Sequence, residues 1–284
     1  MTELDGVTDL RSPVMVAAFE GWNDAGDAAS GAIEHLEVVW GAEPFAAIDP
    51  EDYYDFQVNR PQVTLVDGTY RRIQWPTSRF SLCRLEERDV VLLRGLEPNM
   101  RWRTFCEEVI DIARELGIEM SVTLGALLSD SPHTRAVPVS GTASDTATAE
   151  RLGLERSRYE GPTGIVGVLH DACNQAGMSS VSFWAAVPHY VSQPPSPKAT
   201  IALLRRVEDV LDIAVPLGEL PEQAAEWQEQ VDQLTEEDTE VAEYVRQLEE
   251  RDPEDGLQET SGDAIAQEFE RYLRRRGQQS GPGE

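Results

Sequence analysis

Apolar positions fall into two rhythms along this chain. Residues 14–19 form a continuous apolar run, the pattern of a strand covered on both faces. Residues 28–40 carry Ile33, Leu36, Val39 and Trp40 at helical spacing and predict a helix. A short strand over 45–48 runs into a loop-like stretch, 49–54, rich in acidic and aromatic groups. Runs at 62–65 and 70–75 flank Asp67-Gly68, a strong hairpin signal. Two further strands are predicted at 80–85 and 90–94. A helix follows over 101–116, with Trp102, Phe105, Val109, Ile112 and Ala113 on one face and Gly117 closing it.

The second half repeats the alternation. Residues 120–127 are apolar and β-branched, as in a central strand. A polar connection then runs from Ser129 to about Ser144 and reads as a long loop, a form that is uncommon in compact domains and often functional. A helix over 163–176 ends at Gly177, and 181–187 predicts another buried strand. A proline-rich loop, 188–197, leads to a helix over 198–214 with Ile201, Leu204, Val207, Val210 and Leu211 in phase. Strands alternating with helices imply an α/β three-layer sandwich whose sheet is mostly parallel or mixed. The hairpin at Asp67-Gly68 adds an antiparallel excursion.

Beyond Gly218 the pattern changes. Residues 219–250 are helical in composition, with Ala225, Trp227, Val231, Leu234, Val241, Val245 and Leu248 as apolar positions that must bury somewhere. Asp252-Pro253 interrupts this stretch, a short helix is predicted over 265–275, and 277–284 reads as a disordered tail. The expected organisation is an α/β body over 1–217, an acidic helical arm over 218–276 and the tail. The sequence contains no internal repeat.

Charge narrows the partners. The 284 residues carry a net charge of −28, about half of it beyond Gly218. Such a surface repels phosphates and anionic lipids, so neither nucleic acid nor membrane is an expected partner. No apolar run reaches membrane-spanning length, and the acidic N-terminus does not read as a secretory signal. Cys83, Cys106 and Cys173 are scattered within apolar patterns, which predicts buried, reduced thiols and a cytoplasmic protein. Lys198 is the only lysine.

Candidate chemistry gathers at predicted strand ends, where open α/β sheets bind ligands. In the turn 20–27, Glu20, Asn23 and Asp24 could position a polar ligand, while Asp24 or Asp27 could instead cap the next helix. Its glycines match neither phosphate-loop pattern, and its acids would repel phosphate. In 95–102, Glu97 and Arg101 could face the same cleft, with Asn99 as a helix cap. His133 with Arg135 could bind an anion or carbonyl, or that loop could pack against a neighbouring subunit. Glu160 precedes a glycine-rich helix entry, and His189 follows another strand end. His133 and His189 have no acidic residue at metal-ligand spacing, so no metal and no cofactor are expected. No catalytic set is assembled by spacing.

These segments jointly resemble the proteasome assembly chaperone 2 family in its actinobacterial branch. The resemblance rests on Phe19-Glu-Gly-Trp-Asn-Asp-Ala-Gly-Asp27, Ile48-Asp-Pro-Glu-Asp-Tyr-Tyr-Asp-Phe56 with Arg60-Pro61, Gly95-Leu-Glu-Pro-Asn99, Pro132-His-Thr-Arg135, Tyr159-Glu-Gly-Pro-Thr-Gly164 and Trp184-Ala-Ala-Val-Pro-His-Tyr190. It implies a sandwich similar to the purine nucleoside phosphorylase-like fold and a homo-oligomer, a trimer being the form suggested. Eukaryotic relatives assist assembly of the proteasome α-ring. Docking chaperones commonly end in a hydrophobic-Tyr-any tail. This chain ends Ser280-Gly-Pro-Gly-Glu284, and its nearest Tyr, Tyr272, is internal to a predicted helix.

Two readings follow. One is a non-enzymatic assembly protein, homo-oligomeric through its body, that offers the acidic arm to a partner, with proteasome α subunits as candidates. The other is a binding protein or enzyme for a nucleoside-like or similar polar ligand at the carboxyl edge of the sheet, using Glu20, Asn23, Asp24, Glu97, Asn99, His133, Arg135, Glu160 and His189.

Overall fold

The computed structural model describes residues 7, 9–66, 70–154 and 159–250, with Val66 and Tyr70 described in backbone only. In chain order the elements are β1 (Val14–Glu20), α1 (Ala28–Val39), β2 (Glu43–Ala47), β3 (Gln62–Val66), β4 (Tyr70–Gln74), β5 (Arg79–Arg84), β6 (Asp89–Leu96), α2 (Trp102–Glu115), β7 (Met120–Ser129), β8 (Val139–Ala143), α3 (Thr146–Arg151), α4 (Ile165–Gln175), β9 (Ser179–Pro188), α5 (Pro197–Leu211), α6 (Leu220–Glu237) and α7 (Thr239–Glu250). Seven strands form one sheet in the order β2-β5-β6-β1-β7-β9-β8, and β3 pairs only with β4 in a separate hairpin.

The central strands are parallel: β1 pairs with β6 and β7, and β7 with β9. β5 runs antiparallel to β6, β2 antiparallel to β5, and β8 antiparallel to β9. The sheet is therefore mixed, with a parallel heart and antiparallel edges. Side-chain alternation along β1 explains its unbroken apolar run. Val14, Val16 and Ala18 face a core shared with Ile33 and Leu36 of α1 and Leu203, Leu204 and Val207 of α5. Met15, Ala17 and Phe19 face the opposite core, with Phe105 and Val109 of α2 and Ile165 and Leu169 of α4. Two covered faces require hydrophobic residues at every position of such a strand. All three cysteines are buried and free.

Two expectations are corrected. The connection 129–144 is not a structureless loop: Val139–Ala143 is a strand whose Gly141 pairs with Phe183 of β9. Its alternation of Val, Ser, Gly, Thr and Ala is too polar to announce a strand, and the pairing with β9 supplies what propensity does not. The helical arm is also broken earlier than Pro253, at Asp238, whose backbone is extended. Its carboxylate accepts from the Glu240 and Val241 amides at 2.9 and 3.3 Å and so caps α7. The predicted helix over 265–275 and the tail lie outside the described residues.

α6 packs on α5, and α7 on α6. Val231, Val245 and Leu248 are buried there, whereas Leu234 is not.

Candidate functional site

Because β1, β6, β7 and β9 are mutually parallel, their C-terminal ends and the turns that follow share one edge of the sheet. The turn after β1 is clamped from several sides. Gly21 adopts φ +116 beside Cβ of Glu97, and Gly26 adopts φ +61 where a Cβ would lie 2.8 Å from Cβ of Ser196. Both backbones are in the region that favours glycine. The Asn23 carbonyl accepts from the Ala126 amide at 2.7 Å, which ties the turn to β7, and the Ser196 amide donates to Gly26 O at 2.8 Å, which ties it to the start of α5.

Within this clamp Asn23 and Asp24 are buried. Asn23 Nδ2 donates to Glu97 Oε1 at 2.6 Å, and the same oxygen accepts from the Ile165 amide at 2.9 Å. Residue 164, at the cap position of α4, is a glycine and has no side chain to offer. A Cβ there would stand 2.2 Å from Asn23 Oδ1. Glu97, arriving from the end of β6, therefore caps α4 from outside, where its charge also meets the positive end of the helix dipole. Burial nonetheless raises its carboxyl above the ordinary range, against the two hydrogen bonds that lower it. Asn23 Oδ1 has no hydrogen-bond partner among the described residues.

Asp24 performs the same service for α1. Its Oδ1 accepts from the Ala29 amide at 2.6 Å and the Ser30 amide at 3.2 Å. Asp27 holds the geometric cap position in a left-handed conformation but makes no capping bond through its side chain. Burial pushes the Asp24 carboxyl from 3.8 up to about 6, against its hydrogen bonds to Ser30 and Ala29.

A second cluster joins the turns after β7 and β9 to the arm. His133 is buried, and its two ring nitrogens are both engaged: Nδ1 with the Tyr190 hydroxyl at 2.7 Å and Nε2 with Asp232 Oδ1 at 2.9 Å. The Tyr190 oxygen also accepts from the His133 amide at 2.7 Å. The pattern fits a hydroxyl that donates to Nδ1 while Nε2–H donates to Asp232. Burial pushes the Tyr190 hydroxyl up to about 12, so it keeps its proton at neutral pH. Lys198 donates to the carbonyls of His133 and Arg135 and to Gln228 Oε1 of α6. Its burial lowers its proton affinity, partly offset by Asp232. Arg135 reaches the Glu249 carbonyl, and Thr134 Oγ1 donates to the Glu249 carboxylate at 2.5 Å. His189 Nδ1 lies 3.3 Å from Asp130 Oδ1, a close approach without hydrogen-bond alignment. Its ring meets Tyr244 of α7 edge-on, with centroids 5.2 Å apart.

The structure thus divides the nine candidates. Asn23, Asp24 and Glu97 form one joint at the ends of β1 and β6, while His133, Arg135 and His189 lie at the arm contact. Asn99 belongs to neither, nor does it cap α2, whose cap position is Arg101. Its Oδ1 accepts from the Asp55 amide at 2.8 Å and from Asn59 Nδ2 at 2.7 Å. Arg101 pairs with Asp52 at 2.5 Å on the surface. Glu20 sits half-exposed, 4.0 Å from Arg94, and Glu160 is exposed. Sequence reasoning missed Lys198 and Asp232 as partners of the His133 turn. The one available signal was the isolation of a single lysine at the first turn of a helix. Among the described residues no group of three His, Cys, Asp or Glu side chains is arranged to hold a metal ion, and no helix is long and apolar enough to cross a membrane.

Comparison with known proteins gives this geometry a context. The model of the PAC2 family matches residues 18–235. A PAC2 family protein from Streptomyces avermitilis is 63% identical in sequence, with TM-score 0.78 over 82% of this chain and 99% of that one. A proteasome-assembly chaperone homologue from Mycobacterium tuberculosis is 60% identical, with TM-score 0.76 over 82% of this chain and 99% of that one. At 17% identity, PbaB of Pyrococcus furiosus, an archaeal proteasome activator, shares the fold with TM-score 0.67 over 82% of this chain and 98% of that one. No curated protein matches the chain. A family model that spans the β1 turn, the β6 turn, the His133 loop and most of α6 leaves one conclusion: this chain belongs to the PAC2 family.

Proposed function

We propose that this protein is a non-enzymatic, homo-oligomeric assembly factor of the cytoplasm, with proteasome α subunits as its partners. The observation that carries this reading is the 60% identity, along 82% of the chain, to the Mycobacterium tuberculosis proteasome-assembly chaperone homologue. The local chemistry is compatible with it. The carboxylates of Asp24 and Glu97 at the strand ends cap helices, and half-buried Tyr190 and buried His133 bind one another and the arm. Tagged protein is crosslinked in its native host, purified and read by mass spectrometry. Recovery of proteasome α subunits above background is the expected result. Recovery of the chain crosslinked only to itself, with proteasome present in the lysate, removes the α-subunit partner.

A second reading places a small polar ligand at the carboxyl edge, among Glu20, Asn23, Asp24, Glu97, Asn99, His133, Arg135, Glu160 and His189. It is favoured by the buried, unpartnered Asn23 Oδ1. A thermal-shift screen of nucleosides and related metabolites tests it. A stabilising compound whose effect disappears in Glu20→Ala and His133→Ala supports it, and no stabilisation across the set removes it.

A further inference from the structure

The β3–β4 hairpin stands apart from the main sheet. Its register pairs Val63 with Ile73 and Leu65 with Arg71, so these four side chains share one face. Val63, Leu65 and Ile73 are 61%, 66% and 56% exposed. At the root, Trp75 meets Phe56 edge-on with ring centroids 4.7 Å apart, yet remains 45% exposed. A two-stranded ribbon is marginal in water without a covered face, and an apolar row on it marks a contact surface.

The hairpin is also basic within a chain of net charge −28. Arg71 and Arg72 are exposed, and among the described residues neither takes part in an ion pair. The opposite surface exists on the same chain. Residues 219–250 carry a dozen carboxylates against the single Arg246. On α6, Glu226, Gln230, Leu234 and Glu237 recur at helical spacing on the exposed side, and Leu234 is 56% exposed. Leu234 with Glu237 one turn on is the complement of an apolar row that carries Arg71 on its own face, with Arg72 on the reverse beside Thr64. Within one molecule the two surfaces stand apart: the hairpin springs from the β2–β5 end of the sheet, whereas the arm is fastened beyond β7 and β9.

We propose that the β3–β4 hairpin of one copy docks on the acidic outer face of α6 of a second copy, in a head-to-tail contact between copies of this chain. Such a contact joins different surfaces and closes into a ring when the rotation between copies permits. The proposal rests on the homo-oligomeric reading above and supplies its surfaces.

The test uses the full chain at micromolar concentration, measured by sedimentation velocity and light scattering. The variants are Arg71→Glu with Arg72→Glu, Glu226→Arg with Glu237→Arg, and all four together. These positions are exposed, so the circular dichroism spectrum should stay at the parent's, and any change in thermal midpoint should follow the change in association. The parent is expected to be oligomeric, each paired reversal to weaken association at least tenfold, and the four-fold variant to restore it. A parent that is monomeric at all concentrations overturns both the oligomeric reading and this contact. An oligomer indifferent to either reversal, or one that the four-fold variant fails to restore, overturns only the contact. None of these outcomes alters the recovery of α subunits, which is measured separately.

Discussion

Asp24 offers the sharpest quantitative test of the joint at the strand ends. Its carboxylate is buried and accepts from the Ala29 and Ser30 amides, with the Ser30 side chain beside it. Burial raises it from 3.8 to about 6, so the folded protein binds its proton more tightly than the unfolded chain does. The contribution to stability is complete below pH 3.8 and is lost as pH rises through about 6. At about 1.4 kcal/mol per tenfold change in proton affinity, the whole interval is worth about 3 kcal/mol, of which about 1.4 kcal/mol falls between pH 5 and pH 8. Asp24→Asn keeps an oxygen to accept from Ala29 and Ser30 but has no charge to bury. Urea unfolding of parent and variant at intervals from pH 5 to pH 8 isolates this one group, because every other titration cancels in the difference. The variant should gain about 1.4 kcal/mol relative to the parent across that range. Parallel stability curves would refute the reasoning, because Asp24 would then carry its charge equally well in both states.

The remaining predictions concern the other members of the two clusters. Glu97→Ala leaves the Ile165 amide and Asn23 Nδ2 without their acceptor and should cost about 2–4 kcal/mol in urea unfolding, while Glu97→Gln, which retains an oxygen, should cost less than half as much. Gly164→Ala forces a Cβ to within 2.2 Å of Asn23 Oδ1 and should cost about 1–3 kcal/mol, whereas the same change combined with Asn23→Ala should recover most of that loss. Lys198→Met removes the donor that joins the His133 and Arg135 carbonyls to Gln228. Hydrogen exchange in α6 should then accelerate at least about tenfold with that in β1 and β7 unchanged, and equal protection in both proteins would count against Lys198 as a fastener of the arm.

Much of this fold could be read from the chain because its signals are local. The apolar runs of β1, β6, β7 and β9, the phased faces of α2 and α5, the pairing of β3 with β4 and the glycine after α2 are each decided by a few neighbouring residues. What escaped was decided at a distance. β8 is a strand because β9 offers it a ladder, not because Val139-Ser-Gly-Thr-Ala143 prefers to extend. The break at Asp238 was marked by a capping residue, but it lay within a run of helix-favouring glutamates that masked it. Asp24 and Asp27 were both legible as caps of α1, and only the left-handed turn at Asp27 decides between them. Glu97 as a cap for α4 could not be read at all, since 68 positions separate it from Ile165.

Convergence of polar turns on one sheet edge has a different consequence here from an open binding cleft. A reactive group must be free to meet a substrate, and a buried group that already satisfies a helix end must release it before doing so. Asp24 and Glu97 hold α1 and α4, Asn23 reaches only Glu97, and His133 is spent between Tyr190 and Asp232. The polar wealth of the edge thus goes into fixing four parallel strands, two helix starts and an arm relative to one another. Asn23 Oδ1 stays unpartnered inside the joint, while on the outside Val63, Leu65 and Ile73 are exposed with Arg71 on their face, and Leu234 is exposed one turn from Glu237. Under the assembly-factor reading proposed above, those outer surfaces are the part of the body left to meet other chains, and the joined edge is what holds them in place.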